Sequence, residues 1–272
     1  MIAVVIAAGL LIGVSLGALG GGGSILAVPV FVYALGQGPA AATTGSLVVV
    51  GVSAITGATV AWRQQQVHLA RGTGFGALGI AGAALGATWS TRVPAQVLLA
   101  AFSVVMLIVA ALMIGRQLRR RADTAGEAGT SYDEPILGLR PEFMCNCPRA
   151  LKLVVAATAV GLMTGFFGVG GGFLVVPTLV FALGVPMPIA VGTSLLVITI
   201  NSAAAFAVRI AAGVQFDWWP VIALTVAAMV GSVFGARLGR RVDSSRLAWA
   251  FSLLILGVAG YTAWQSAGQL IA

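Results

Sequence analysis

Apolar residues run along this chain in uncharged stretches of about 18–22, separated by short polar or glycine-rich segments. The stretches do not alternate apolar and polar positions, as the roughly ten-residue strands of a membrane β-barrel would. They predict helices over 2–17, 25–36, 40–62, 73–91 and 95–114. A second set is predicted over 151–167, 173–184, 187–210, 218–238 and 245–265. Most are long enough to cross a hydrocarbon core about 30 Å thick. The pieces 2–17 and 25–36 reach only about 24 and 18 Å at 1.5 Å per residue. Together they predict a re-entrant or tightly packed hairpin.

What divides each short pair is glycine. Gly17-Ala-Leu-Gly-Gly-Gly-Gly-Ser24 is followed by Ile25-Leu-Ala-Val-Pro29, and Gly165-Phe-Phe-Gly-Val-Gly-Gly-Gly172 by Phe173-Leu-Val-Val-Pro177. Irregular backbone at membrane depth must be buried in protein or line a wet cavity. Two breaks in matching places of two halves point to a transporter's substrate site. An offset of 148 takes Gly20 to Gly168, Gly22 to Gly170, Pro29 to Pro177, Ala42 to Ala190 and Ser46 to Ser194. One further residue takes Gly82 to Gly231, Gly86 to Gly235, Arg92 to Arg241 and Phe102 to Phe251. The chain thus reads as two repeats, 1–114 and 151–272, joined by a polar linker over 115–150.

Composition sharpens this. The chain is 59% hydrophobic and only 8% charged, against roughly 25% charged in soluble domains. The fold class is therefore all-α and polytopic in a membrane. The net charge of +8 sits in loops, where topology explains it and nucleic acid does not. Met1-Ile-Ala-Val-Val lacks the basic start of a signal peptide. The linker holds Arg116, Arg119, Arg120, Arg121, Arg140 and Arg149, which places it on the cytoplasmic side and both termini outside. With five segments per half, Arg92 then lies outside and its counterpart Arg241 inside, so the halves are inverted. Trp62, Trp89, Trp218, Trp219, Trp249 and Trp264 fall near segment ends, as an aromatic belt requires.

The two glycine breaks ending in Pro29 and Pro177 occur with Ala42-Thr-Thr-Gly-Ser-Leu47 and Ala190-Val-Gly-Thr-Ser-Leu195. In these residues, and over both halves, the chain resembles the TauE/SafE sulfite-exporter family, also called the toluene-sulfonate uptake permease family. The resemblance implies a cytoplasmic-membrane permease for sulfite, an organosulfonate or a similar small sulfur-containing anion. It does not separate this from another small organic anion.

The chemistry of the breaks agrees with an anion. A helix that starts inside the membrane exposes unpaired N–H groups and a partial positive charge, and glycine lets a ligand approach the backbone. New helices are expected near Ser24 and Gly172. Candidate substrate contacts are Gly20, Gly21, Gly22, Gly23 and Ser24 in the first break and Gly170, Gly171 and Gly172 in the second. The hydroxyls of Thr43, Thr44, Ser46, Thr193 and Ser194 join them, with Asn201 as a polar position inside a span. The alternative for the glycines is close helix packing.

All seven carboxylates, at 123, 127, 133, 134, 142, 217 and 243, lie in loops or at span ends, so no intramembrane proton carrier stands out. His68 lies in a polar loop and suits an interfacial role. Arg209, near a helix end, is expected to snorkel to the interface, with anion binding as the alternative. Cys145 and Cys147 fall in the linker. Two cysteines do not make a structural zinc site, and a reducing compartment disfavours a disulfide. Incidental thiols, sulfur relay and redox regulation stay open. The glycine runs lack the strand of a dinucleotide fold. No cofactor, metal site or enzyme chemistry is expected. The expected partners are the small anion and the lipid bilayer, with a homodimer as an open option. The rival of another class is a thiol-responsive membrane scaffold that transports nothing.

Overall fold

The computed structural model describes residues 2–123, 147–182 and 184–271. Among them every regular element is helical. The first half comprises α1 (Ile2–Leu19), α2 (Gly22–Pro29) continued by a π-turn (Val30–Ala34), α3 (Pro39–Arg63), α4 (Leu69–Ser90) and α5 (Ala95–Asp123). The second comprises α6 (Cys147–Phe167), α7 (Gly172–Ala182), α8 (Met187–Ala211), α9 (Trp218–Gly239) and α10 (Ser244–Ile271). The helices start on local chemistry. Proline occupies the first turn of α3 and of α8, where its missing N–H goes unmissed. The Asp217 carboxylate caps α9 by accepting from the Trp219 N–H at 3.1 Å. The π-turn follows Pro29 directly. Without that donor the ladder widens, and Leu35 N–H reaches the Val30 carbonyl five residues back at 3.1 Å.

Several bounds differ from the sequence expectation: α4 starts at Leu69 rather than 73 and α10 reaches Ile271 rather than 265, and the largest differences flank the linker. Helix α5 runs to Asp123 and α6 starts at Cys147, so part of the expected 115–150 linker is helix. Arginine is a good helix former, and α5 continues through the basic run beyond its apolar stretch. Cys147 is therefore the first residue of α6, whereas Cys145 lies outside the described residues. Among the described residues four helical stretches are long and apolar enough to cross a membrane: Pro39–Arg63, Met187–Ala211, Trp218–Gly239 and Ser245–Thr262.

The halves are interleaved. Helix α1 packs on α9, α4 on α6, α3 crosses α8, and α5 pairs with α10. Exchanging the halves maps the principal seams onto one another: α1–α9 onto α6–α4, and α3–α9 onto α8–α4. Glycine lets the two most extensive seams, α1–α9 and α4–α6, close tightly. A Cβ on Gly13 of α1 would stand 2.1 Å from the Ala228 carbonyl oxygen, and one on Gly161 of α6 2.0 Å from that of Gly79. Backbone lies on backbone there, and no larger residue fits. In lipid, where apolar burial drives little association, such close approach is what holds helices together.

Candidate functional site

The two glycine breaks meet at the centre of the bundle. Gly20 (φ +71°) and Gly168 (φ +65°) turn the chain out of α1 and α6 in the left-handed region that glycine tolerates. A Cβ on Gly21 would lie 2.0 Å from the Gly172 carbonyl oxygen, and one on Gly172 2.7 Å from the Gly21 Cα. The breaks thus touch each other, backbone to backbone. They are not identical. The second has two further left-handed residues, Gly170 (+68°) and Gly171 (+64°), while Gly22 and Gly23 already belong to α2. Helix α2 therefore starts at Gly22, ahead of the expected Ser24, while α7 starts at Gly172 as anticipated.

Hydroxyls tie each break to the opposite half. Ser46 Oγ donates to the Gly168 carbonyl, and its counterpart Ser194 Oγ donates to the Gly20 carbonyl at 2.7 Å. Ser24 Oγ donates to the Gly21 carbonyl at 2.6 Å. These serines and Thr43, whose Cβ and backbone face Gly168, are gathered at the breaks. Thr44 bonds only its own helix, at the Ala40 carbonyl. Thr193 accepts from the His68 backbone N–H at 3.1 Å, fastening the loop before α4 rather than a break. A Cβ added at these glycines would meet Val191 and Ser194 at Gly20, Thr164 at Gly171, and Val50 and Ser202 at Gly170.

Arg209 departs most from the sequence expectation. It does not snorkel; it is 2% exposed. Its Nη1 donates to Thr43 Oγ1 at 2.8 Å, and its Nη2 to Ser90 Oγ at 2.7 Å and the Gly165 carbonyl at 3.0 Å. The cause is directional. Side chains on a helix lean towards its N-terminus, so near the C-terminal end of α8 Arg209 leans into the bundle. There the last carbonyls of α6, the negative end of that helix, attract a cation. Arg209 Nε has no partner. Among the described residues no carboxylate pairs with it; Asp217 and Asp243 are exposed.

Two turns earlier on the same helix, Asn201 is 0% exposed and neither Oδ1 nor Nδ2 has a partner. Its neighbour Ser202, 1% exposed, has a partnerless Oγ that lies beside Gly170 of the second break. Ser90 and Ser202 were not singled out from the sequence. The available signal was an arginine inside an apolar run, seven residues after a serine, which puts both on one helix face. A cleft of about 330 Å³ between α2 and α10, lined by Leu26, Tyr33, Val258 and Tyr261 among others, carries no charge for an anion.

A "Probable membrane transporter protein" of Xylella fastidiosa (strain 9a5c) is 33% identical over 285 residues, covering 99% of this chain and 97% of that protein. A probable membrane transporter protein of Methanocaldococcus jannaschii is 34% identical over 134 residues, covering 47% of this chain and 49% of its own length. No solved structure matches the chain. The fold is helical, with four membrane-length apolar segments among the described residues, and a relative matched over nearly its whole length carries the name of a membrane transporter. With the sulfite exporter TauE/SafE profile matching residues 5–262, the chain is a multi-pass membrane transporter that belongs to the TauE/SafE family.

Proposed function

We propose that the protein is a secondary carrier of a small sulfur-containing anion, sulfite, an organosulfonate or a close relative, across the cytoplasmic membrane. The two halves are inverted, the termini face outward and the linker faces the cytoplasm, following the arginine distribution. The family description supports the sulfur chemistry. The observation that carries the charge preference is Arg209. A buried cation without a counter-ion is unfavourable by several kcal/mol, and its neutral partners Thr43, Ser90 and Gly165 offset only part of that. A small anion supplies the missing charge. It arrives beside the second break, where the N-terminus of α7 adds a partial positive charge. No bond is made or broken in the substrate; the protein exchanges hydration for its own donors and releases the anion on the other side.

The test is flux in liposomes holding the purified full chain, screened over sulfite, sulfonates, thiosulfate and carboxylates. Uptake of at least one sulfur oxyanion above empty vesicles is the expected result. Uptake of carboxylates alone would remove the sulfur assignment. No flux of any anion would overturn the transport reading in favour of a membrane scaffold.

A further inference from the structure

The repeat supplies its own control for the polar groups on α8. The offset of 148 places Ser53 opposite Asn201, Ala54 opposite Ser202 and Ala61 opposite Arg209. In the first half this line carries no charge, and Ser53 Oγ donates to the Val49 carbonyl. The surroundings of Arg209 map likewise. Thr43 corresponds to Val191, Gly165 to Gly17, and Ser90, with the later offset of 149, to Gly239. Those residues, with Ala18 and Gln66, surround a cavity of only about 10 Å³, the size of one water. The same place in the fold thus closes in one half around uncharged residues, mostly small and apolar with Gln66 among them, and in the other around a guanidinium. The architecture does not require the polar version.

Four partnerless buried atoms lie along one helix in that polar version: Arg209 Nε, Asn201 Oδ1 and Nδ2 against Gly79 of α4, and Ser202 Oγ against Gly170. Buried polar groups are nearly always bonded, so four on one helix call for a missing partner. Ser202 and Arg209 are two turns apart, about 10 Å along the axis, and the arginine leans back over that interval. Residues 165–170 of the second break run alongside, with Gly165 at the arginine and Gly170 at the serine.

We propose that Asn201, Ser202 and Arg209 form one recognition strip for a monoanion that also carries a hydrogen-bond donor of its own. This assignment rests on the transport reading above. One guanidinium, with no second buried cation among the described residues, balances one negative charge. A second charge on the ligand would stay uncompensated at low dielectric. Whichever way the Asn201 amide is turned, one of its two atoms is an acceptor. An oxyanion alone cannot satisfy that atom; a hydroxyl or amine on the ligand can.

The experiment compares ethanesulfonate, 2-hydroxyethanesulfonate and 1,2-ethanedisulfonate by calorimetric titration of the full chain in lipid nanodiscs, with counterflow in liposomes alongside. The hydroxylated monoanion should bind about three- to tenfold more tightly than the plain one, and the dianion more weakly than either. Asn201→Leu should bring the hydroxyl preference to about one while ethanesulfonate binding persists. Arg209→Gln should weaken both monoanions at least about tenfold, with partial recovery in Arg209→Lys. Ser53→Ala in the first half should change neither quantity. If Arg209→Gln does not fold, Asn201→Leu decides alone through the ratio. A wild-type ratio of one, a ratio that survives Asn201→Leu, or tightest binding of the disulfonate overturns the strip while transport stands. Should the protein carry carboxylates only, propanoate, 3-hydroxypropanoate and malonate make the same comparison. If no anion is carried, the transport reading fails and the strip with it.

Discussion

Gly22 and Gly170 are counterparts in the repeat, yet alanine at the two positions should have very different effects on stability. Gly22 sits in the first turn of α2. A Cβ there would meet Leu19 Cδ1 at 3.0 Å, Leu19 Cβ at 3.2 Å and Leu254 Cδ2 at 3.3 Å; the two methyl ends can swing aside, and at Leu19 Cβ the backbone must give by a few tenths of an ångström. These small displacements are set against a gain of up to about 1 kcal/mol for alanine over glycine in a helix, so the net change is within about 1 kcal/mol of zero. Gly170 is left-handed at φ +68°, and its Cβ would lie 2.6 Å from Val50 Cγ1 and 3.1 Å from Ser202 Oγ. The backbone term costs about 1–2 kcal/mol and the overpacking about 1–3 kcal/mol. The sum of about 2–5 kcal/mol corresponds to an unfolding constant roughly thirty- to several-thousandfold larger. Unfolding in mixed micelles with increasing dodecyl sulfate, followed by helical circular dichroism, measures both variants against the wild type. Equal midpoints for the two would refute the assigned difference in backbone state. Affinity belongs in the same experiment. Gly22→Ala keeps the fold, so a large affinity loss there would put the anion at the first break rather than along α8.

Other outcomes follow from the same contacts. Ser46→Ala and Ser194→Ala each leave a break carbonyl without its donor and should each destabilise by about 1–3 kcal/mol, read from the same midpoints; no change in either would mean those carbonyls are satisfied otherwise. Gly161→Leu drives a side chain into the Gly79 carbonyl across the α4–α6 seam and should abolish monodisperse folded protein on size exclusion. Replacing Cys145 and Cys147 together by serine should leave detergent-stable yield unchanged; loss of yield would reveal a bond or metal at that pair. Cysteine labelling of intact cells should reach the termini and spare the linker, and external labelling of the linker would reverse the orientation.

The helices and their breaks were legible because each depends on nearby residues: apolar runs set the spans, glycine and proline end them. The seams were less so. Glycines spaced by four along α1, α4, α6 and α9 mark a face for close contact, but spacing does not name the partner helix. The inward turn of Arg209 is hidden from the sequence for a related reason. Its own surroundings in sequence, near the end of an apolar run, suit snorkelling. What turns it inward is supplied by Thr43 on α3, Ser90 on α4 and Gly165 on α6, up to 166 residues away. The basic run after residue 115 has the charge of a loop, yet arginine sustains a helix well and α5 continues through it to Asp123.

The seam between α1 and α9 bears on how the chain is made. Residue 19 closes α1 and residue 218 opens its partner, so about two hundred residues must be synthesised between them, roughly 10–40 s at ordinary elongation rates. Throughout that interval the Gly9, Gly13 and Gly17 face has no α9 to receive it. The first helix must wait in the bilayer against lipid or borrowed neighbours until the second half arrives. Nascent chains stalled before α9 should therefore be the form most exposed to membrane quality control, and substitutions on the α1 face should register as lost yield even where the completed protein tolerates them.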